Sequence, residues 1–183
     1  MTDGMDFWVF AYGSLIWNPG FDPAERILAR LDGFRRSFCM ASVVYRGTPE
    51  APGLVLALDR APDTVCQGVA YRVGAEHAPK TLQYLRDREL VSSAYLEKTE
   101  TLTLADGRQI RAICYVMDKS HDQYRGDLSL DERAHVIATA HGPAGSNRDY
   151  LNRTAQSLKQ LDIVDADMAW LEARVAQLGE FGA

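Results

Sequence analysis

Apolar and polar positions along this chain follow two periods in turn. Phe7 to Tyr12 (FWVFAY) is an unbroken apolar run of the length of one buried strand. Phe34 to Tyr45 (FRRSFCMASVVY) and Gly53 to Leu58 (GLVLAL) read the same way, divided by the loop RGTPEAPG. Cys66 to Val73 (CQGVAYRV) makes a fourth strand. The period then lengthens: from Ala78 to Glu89, Ala78, Leu82 and Leu85 fall at helical spacing, with Pro79 tolerated in the first turn. Tyr95 to Leu104 alternates, Asp106-Gly107 signals a hairpin turn, and Ile110 to Met117 returns as a strand. The last third is helical. One segment covers Asp131 to His141, a second starts near Asn147 with a stripe of Leu151, Ala155, Leu158 and Leu161, and a third carries Met168, Leu171, Val175 and Leu178. Strands that mostly precede helices, with one helix embedded among them, predict an α+β fold: a small mixed, largely antiparallel β-barrel with flanking helices. The order does not alternate βαβα, so a doubly wound nucleotide fold is not expected.

Length and charge narrow this picture. A chain of 183 residues is expected to form one domain, residues 1–183. A net charge of −5 argues against nucleic acid or an anionic membrane as partner. The flanks of the first apolar run are acidic, so it reads as a strand rather than a signal peptide, and no run is long enough to span a membrane. A cytoplasmic location is expected. Cys39, Cys66 and Cys114 are widely spaced in apolar segments and read as buried, reduced thiols. His77, His121, His135 and His141 show no ligand spacing, so no metal site is read.

Three places can carry chemistry. Glu89 lies seven residues after Leu82 and so continues the apolar stripe of its helix, while Arg86, Asp87 and Arg88 fall on other faces. Burial and the negative end of the helix dipole both disfavour an ionised carboxylate there, which raises its pKa and suits it to act as a base. A frayed helix end with Glu89 in solvent, or paired with an arginine, fits the same spacing. The second place is FAYGSLIW: a strand broken by Gly13-Ser14 either turns a barrel corner or offers consecutive backbone N–H groups to a ligand. The third is HGPAGSNRDYL, where Ser146 or Asn147 caps the helix bearing Tyr150. It is either an anion site or a plain helix start. Arg35, Arg36 and Arg46 stand near the early strands, to hold an acidic ligand or to pair at the surface.

Taken in order, FAYGSLIW, RGTPEAPGLVLAL, CQGVAYRV, RELVSSAY and GPAGSNRDYL resemble the ChaC-type γ-glutamylcyclotransferases, most closely their bacterial branch, over nearly the whole chain. The resemblance implies a compact barrel that cleaves glutathione to 5-oxoproline and cysteinylglycine without cofactor or metal. It implies that Glu89, in Arg88-Glu89, is the catalytic residue. It also implies that Tyr12, Gly13, Ser14 and Leu15 hold the γ-glutamyl group, that Val9, Phe10 and Ala11 line that seat, and that Tyr150 is a further substrate contact. The chain departs from the family pattern at Ala11, where glycine is common, in SVVYRG, and at Ser92-Ser93-Ala94, where the family often carries glycine. Related readings are a cyclotransferase for other γ-glutamyl amines or peptides, and a protein that binds a γ-glutamyl group without cleaving it.

Overall fold

An apolar run covered on both faces has no polar side to show, and β1 (Phe7–Ala11) accordingly buries every residue but Trp8. The computed structural model describes residues 5–180. After β1 come β2 (Glu25–Ser42), β3 (Gly53–Val73), α1 (Ala78–Glu89), β4 (Tyr95–Leu104) and β5 (Gln109–Met117). The five strands close a barrel in the order β1-β3-β2-β4-β5. β1 runs antiparallel to β3, with Phe7 opposite Val73, and parallel to β5, with Val9 opposite Ile113. β4 and β5 form a long antiparallel hairpin from Tyr95–Met117 to Thr103–Gln109. Its turn lies at Asp106-Gly107, with Gly107 at φ 89°, as that dipeptide demands. The barrel is mixed but mostly antiparallel.

Two strands are longer than periodicity implied. β2 begins at Glu25 rather than Phe34: Arg26, Leu28, Arg30 and Asp32 face water while Ala29 and Leu31 are buried. That stretch is a half-exposed strand, too charged to stand out by hydrophobicity. The segments read as Gly53 to Leu58 and Cys66 to Val73 belong to one strand, β3. Ala61-Pro62-Asp63 does not end it, because Asp63 takes the left-handed conformation (φ 63°) that Asp tolerates better than most residues.

The chain divides into two compact units. The first comprises the chain up to Arg36 with Leu58–His121, and so holds β1, α1, β4, β5 and parts of β2 and β3. The second comprises Ser37–Ala57 and the chain from Asp122 on. In it α2 (Leu130–Thr139), α3 (Asn147–Gln160) and α4 (Ala166–Glu180) pack on one another, and a small ladder pairs β6 (His141–Gly142) with β7 (Gly145–Ser146). Ser129 and Glu132 form a reciprocal capping box at the start of α2. Ser146 caps α3 by accepting from the Asp149 N–H at 3.1 Å. Asn147 pins that helix start to β3, with its amide bonded to both the N–H (2.6 Å) and the carbonyl (2.7 Å) of Leu54. No helix among the described residues is long and apolar enough to cross a membrane.

Candidate active site

β1 ends at Ala11, and the chain turns through Tyr12 and Gly13 into a single 3-10 turn, Ser14–Ile16. The turn closes through Ile16 N–H to the Gly13 carbonyl (3.0 Å) and Asn18 N–H to the Ser14 carbonyl (2.8 Å). These bonds use carbonyls. The N–H groups of Gly13, Ser14 and Leu15 have no main-chain acceptor among the described residues.

Three buried side chains brace this loop. Arg36, 5% exposed, donates Nε to the Tyr12 carbonyl at 2.5 Å and Nη2 to the Gln67 carbonyl. The Tyr12 hydroxyl donates to the Tyr115 carbonyl at 3.0 Å. The Tyr71 hydroxyl lies 3.3 Å from the carbonyls of both Leu15 and Ile16. On β3, Gly68 has no room for a Cβ, because the Ala11 carbonyl and the Phe10 ring stand where it would go. The interruption of the apolar run is therefore an anchored turn rather than a slack one.

Helix α1 buries Ala78, Leu82 and Leu85 along one stripe, and Glu89 closes the stripe at its last residue. The Glu89 side chain keeps 14% exposure. Burial pushes its pKa above the usual carboxylate value, and the Arg88 charge opposes that rise. Among the described residues the carboxylate makes no hydrogen bond, and its ion pair is to Arg88, from Nε to Oε1 at 3.2 Å. Tyr115 on β5 lies within the field of Glu89, and burial holds its phenol protonated. That phenol donates to Glu97 Oε2 at 3.3 Å, and Glu97 is paired in turn with Arg86.

The expectation that Arg86, Asp87 and Arg88 all point away from Glu89 holds for the first two only. Arg86 reaches Glu97, and Asp87 accepts from Gln83. Arg88 folds back along the helix end. Besides Glu89, it donates Nη2 to Ser14 Oγ (3.0 Å) and Nη1 to the Asn18 carbonyl (2.5 Å) and the Tyr84 hydroxyl (3.0 Å). Neighbouring helix positions do not face each other in mid-helix, but a long side chain on the final turn can fold past the helix end. Arg88 thus joins the candidate site, where helical spacing had concealed it; the signal for it was an arginine directly before an acid at a helix terminus. Arg36 was equally undecided from sequence, because only the closed barrel shows which carbonyls it reaches.

Of the residues singled out from sequence, Val9 to Leu15 and Glu89 lie in the first unit. Tyr150 lies in the second, where its hydroxyl accepts from the Leu56 N–H at 3.3 Å and its ring packs edge-on against Phe38. The Arg46 guanidinium sits 5.5 Å above the same ring and pairs with Asp149 at 3.4 Å. The α3 start that offered an anion site is capped by its own Ser146. Cys39, Cys66 and Cys114 are buried and form no disulfide among the described residues, and burial pushes the Cys114 thiol up.

Comparison with known proteins gives this barrel its class. The crystal structure of a γ-glutamyl cyclotransferase specific to glutathione from yeast superposes with a TM-score of 0.87 at 28% identity, covering 94% of this chain and 96% of that one. In sequence, the chain is 38% identical over 171 residues to the glutathione-specific γ-glutamylcyclotransferase of Escherichia coli, covering 93% of this chain and 73% of that protein. It is 31% identical to glutathione-specific γ-glutamylcyclotransferase 1 of Danio rerio over 91% of this chain and 87% of that one. The family model described as ChaC-like protein matches residues 7–178. The chain belongs to the ChaC-like family.

Proposed function

We propose that this protein is a glutathione-specific γ-glutamylcyclotransferase in which Glu89 is the general acid and base. The observation that carries the reading is the Glu89 carboxylate: desolvated, free of hydrogen bonds to the described residues, and tied through Arg88 to the turn at Ser14. A γ-glutamyl amide contains its own nucleophile. Its α-amino nitrogen attacks the γ-carbonyl carbon, the five-membered ring closes, and the amide bond to cysteine breaks. Because both reacting atoms belong to one molecule, the protein's task is to fold the substrate and move protons. Overall the ammonium nitrogen gives up two protons and the departing amide nitrogen gains two; Glu89 relays them one at a time, so nothing is consumed and the products are 5-oxoproline and cysteinylglycine. Such acid–base help is worth about 10²- to 10⁴-fold. The N–H groups of Gly13, Ser14 and Leu15 serve as donors to the α-carboxylate or to the oxyanion that develops at the γ-carbon, with Val9, Phe10, Ala11 and Tyr12 as the wall behind them.

The test is incubation of purified protein with glutathione in EDTA, with 5-oxoproline and cysteinylglycine followed by chromatography and Glu89→Gln run in parallel. Both products from the wild type and nearly none from the variant support the reading. A folded wild type that leaves glutathione intact sinks it and directs the assay to other γ-glutamyl amines and peptides. The role of Tyr150 as a substrate contact rests on resemblance alone. Tyr150→Phe raising KM with kcat held supports it, and an unchanged KM removes it. We place the enzyme in the cytoplasm, which fractionation of the source cells checks.

A further inference from the structure

Arg88 does more than flank the acid. Its guanidinium has N–H donors in a rigid fork that reach Ser14 Oγ, the Asn18 carbonyl and the Tyr84 hydroxyl, and its Nε stands in an ion pair with Glu89 Oε1, four partners in all. Two of these belong to the segment that follows β1, and two belong to α1. A second observation ties the same segment to the same helix. Gly20 takes the left-handed conformation (φ 76°), and a Cβ there would collide with the Tyr84 hydroxyl. The turn after β1 is therefore laid against the last turn of α1, with Arg88 at the join. The side chain of Arg88 is 19% exposed, so its charge is screened less than one at the surface.

The groups facing Glu89 leave Arg88 as the cation that governs it. From β5 comes the Tyr115 phenol, neutral, and beyond it the Glu97–Arg86 pair, whose charges offset each other. Ser14 and Tyr84 bring hydroxyls to Arg88. We infer that Arg88 is a positioning residue for the proposed reaction: through its ion pair with Oε1 it ties the Glu89 carboxylate to the Ser14 turn, sets its own positive charge beside that carboxylate, and leaves Oε2 for the substrate amine. This rests on the reading of Glu89 as the base. When the substrate ammonium arrives it meets an acceptor already paired with the arginine that grips Ser14.

The experiment pairs Arg88→Gln, which removes the charge, with Arg88→Lys, which keeps the charge but cannot span four partners with one ammonium. Titration of the Glu89 carboxyl by carbon NMR, assigned by its loss in Glu89→Gln, is run on the free enzyme beside the pH profile of kcat/KM. In Arg88→Gln the Glu89 titration and the acid limb of the profile are expected to move to higher pH. kcat/KM then falls about tenfold further near pH 6 than near pH 8.5. Arg88→Lys is expected to keep the titration where it is and to raise KM as the turn loosens. A merely structural arginine would lower activity evenly across pH with the titration unmoved, and that result in folded Arg88→Gln overturns the inference. If Arg88→Gln does not fold, Arg88→Lys decides: a titration that rises, or a KM that stays put, overturns it. A wild type inactive on glutathione defeats the proposed function, while the NMR titration still judges Arg88.

Discussion

Two carboxylates in the barrel unit are largely shielded from water and held in opposite ways. Asp59 on β3 has no exposed side-chain surface. Its Oδ2 accepts from Arg35 Nε (3.1 Å) and Nη2 (2.9 Å), and Lys119 stands 3.0 Å from Oδ1 in an ion pair outside hydrogen-bond geometry. Glu89 at the end of α1 is less shielded, yet one arginine reaches one of its oxygens and no hydrogen bond reaches either among the described residues. Asp59 thus has a cation beside each oxygen. Glu89, desolvated and half-compensated, holds a proton more tightly than an ordinary carboxylate and keeps a free oxygen. The two acids differ in the number of cations beside them, two at Asp59 and one at Glu89.

The largest expected effect that can break this comparison is on turnover. Glu89→Gln should lower kcat on glutathione by about 10²- to 10⁴-fold, while Asp59→Asn should leave kcat within about twofold. Comparable losses in both variants would mean that the two acids do not differ in kind.

Stability should show the reverse order. Asp59→Asn is expected to lose about 1–3 kcal/mol in urea denaturation, because it removes a charged acceptor from two cations at a buried position. A midpoint unchanged from wild type would reduce that pair to a surface contact.

The Glu89 contribution depends on pH with a definite sign. Its folded pKa lies above the ordinary 4.5, so the folded chain binds the proton more tightly than the unfolded one. The stabilisation that comes from the protonated group is full below the ordinary value and is lost as pH rises through the raised one. Glu89→Gln cannot ionise, so its melting temperature should gain on the wild type as pH rises above the ordinary 4.5 and through the raised value. A difference that is flat across that range would place Glu89 in an ordinary solvated environment.

The smallest effect sharpens the picture around the base. Ser93, in the turn after α1, sits at φ 57°, a conformation that glycine adopts without strain. Ser93→Gly should stabilise the protein by up to about 1 kcal/mol in chemical denaturation and leave kcat unchanged. A loss of activity would show that the turn sets the aim of Glu89.

Local signals carried much of this protein. The apolar run of β1, the stripe of α1 that ends in Glu89, the Asp106-Gly107 hairpin and the three late helices were legible because each depends on a short period or a turn dipeptide. Order along the chain, strands before helices, gave the α+β class. The family motifs named Glu89 and the turn at Gly13-Ser14 as members of one site. Spacing misjudged whatever depended on partners distant in the chain. The charged first half of β2 and the single long β3 emerge only once the barrel closes and gives each strand a neighbour. The fork of Arg88, the grip of Arg36 on the Tyr12 carbonyl and the different holding of Asp59 and Glu89 were all decided by tertiary structure. Periodicity reports which way a residue faces from its own element. The charge state of an acid and the reach of an arginine depend on what fills the space opposite: Arg88 reaches Ser14, Asn18 and Tyr84, and Tyr115 lies in the field of Glu89, partners brought together only by the fold.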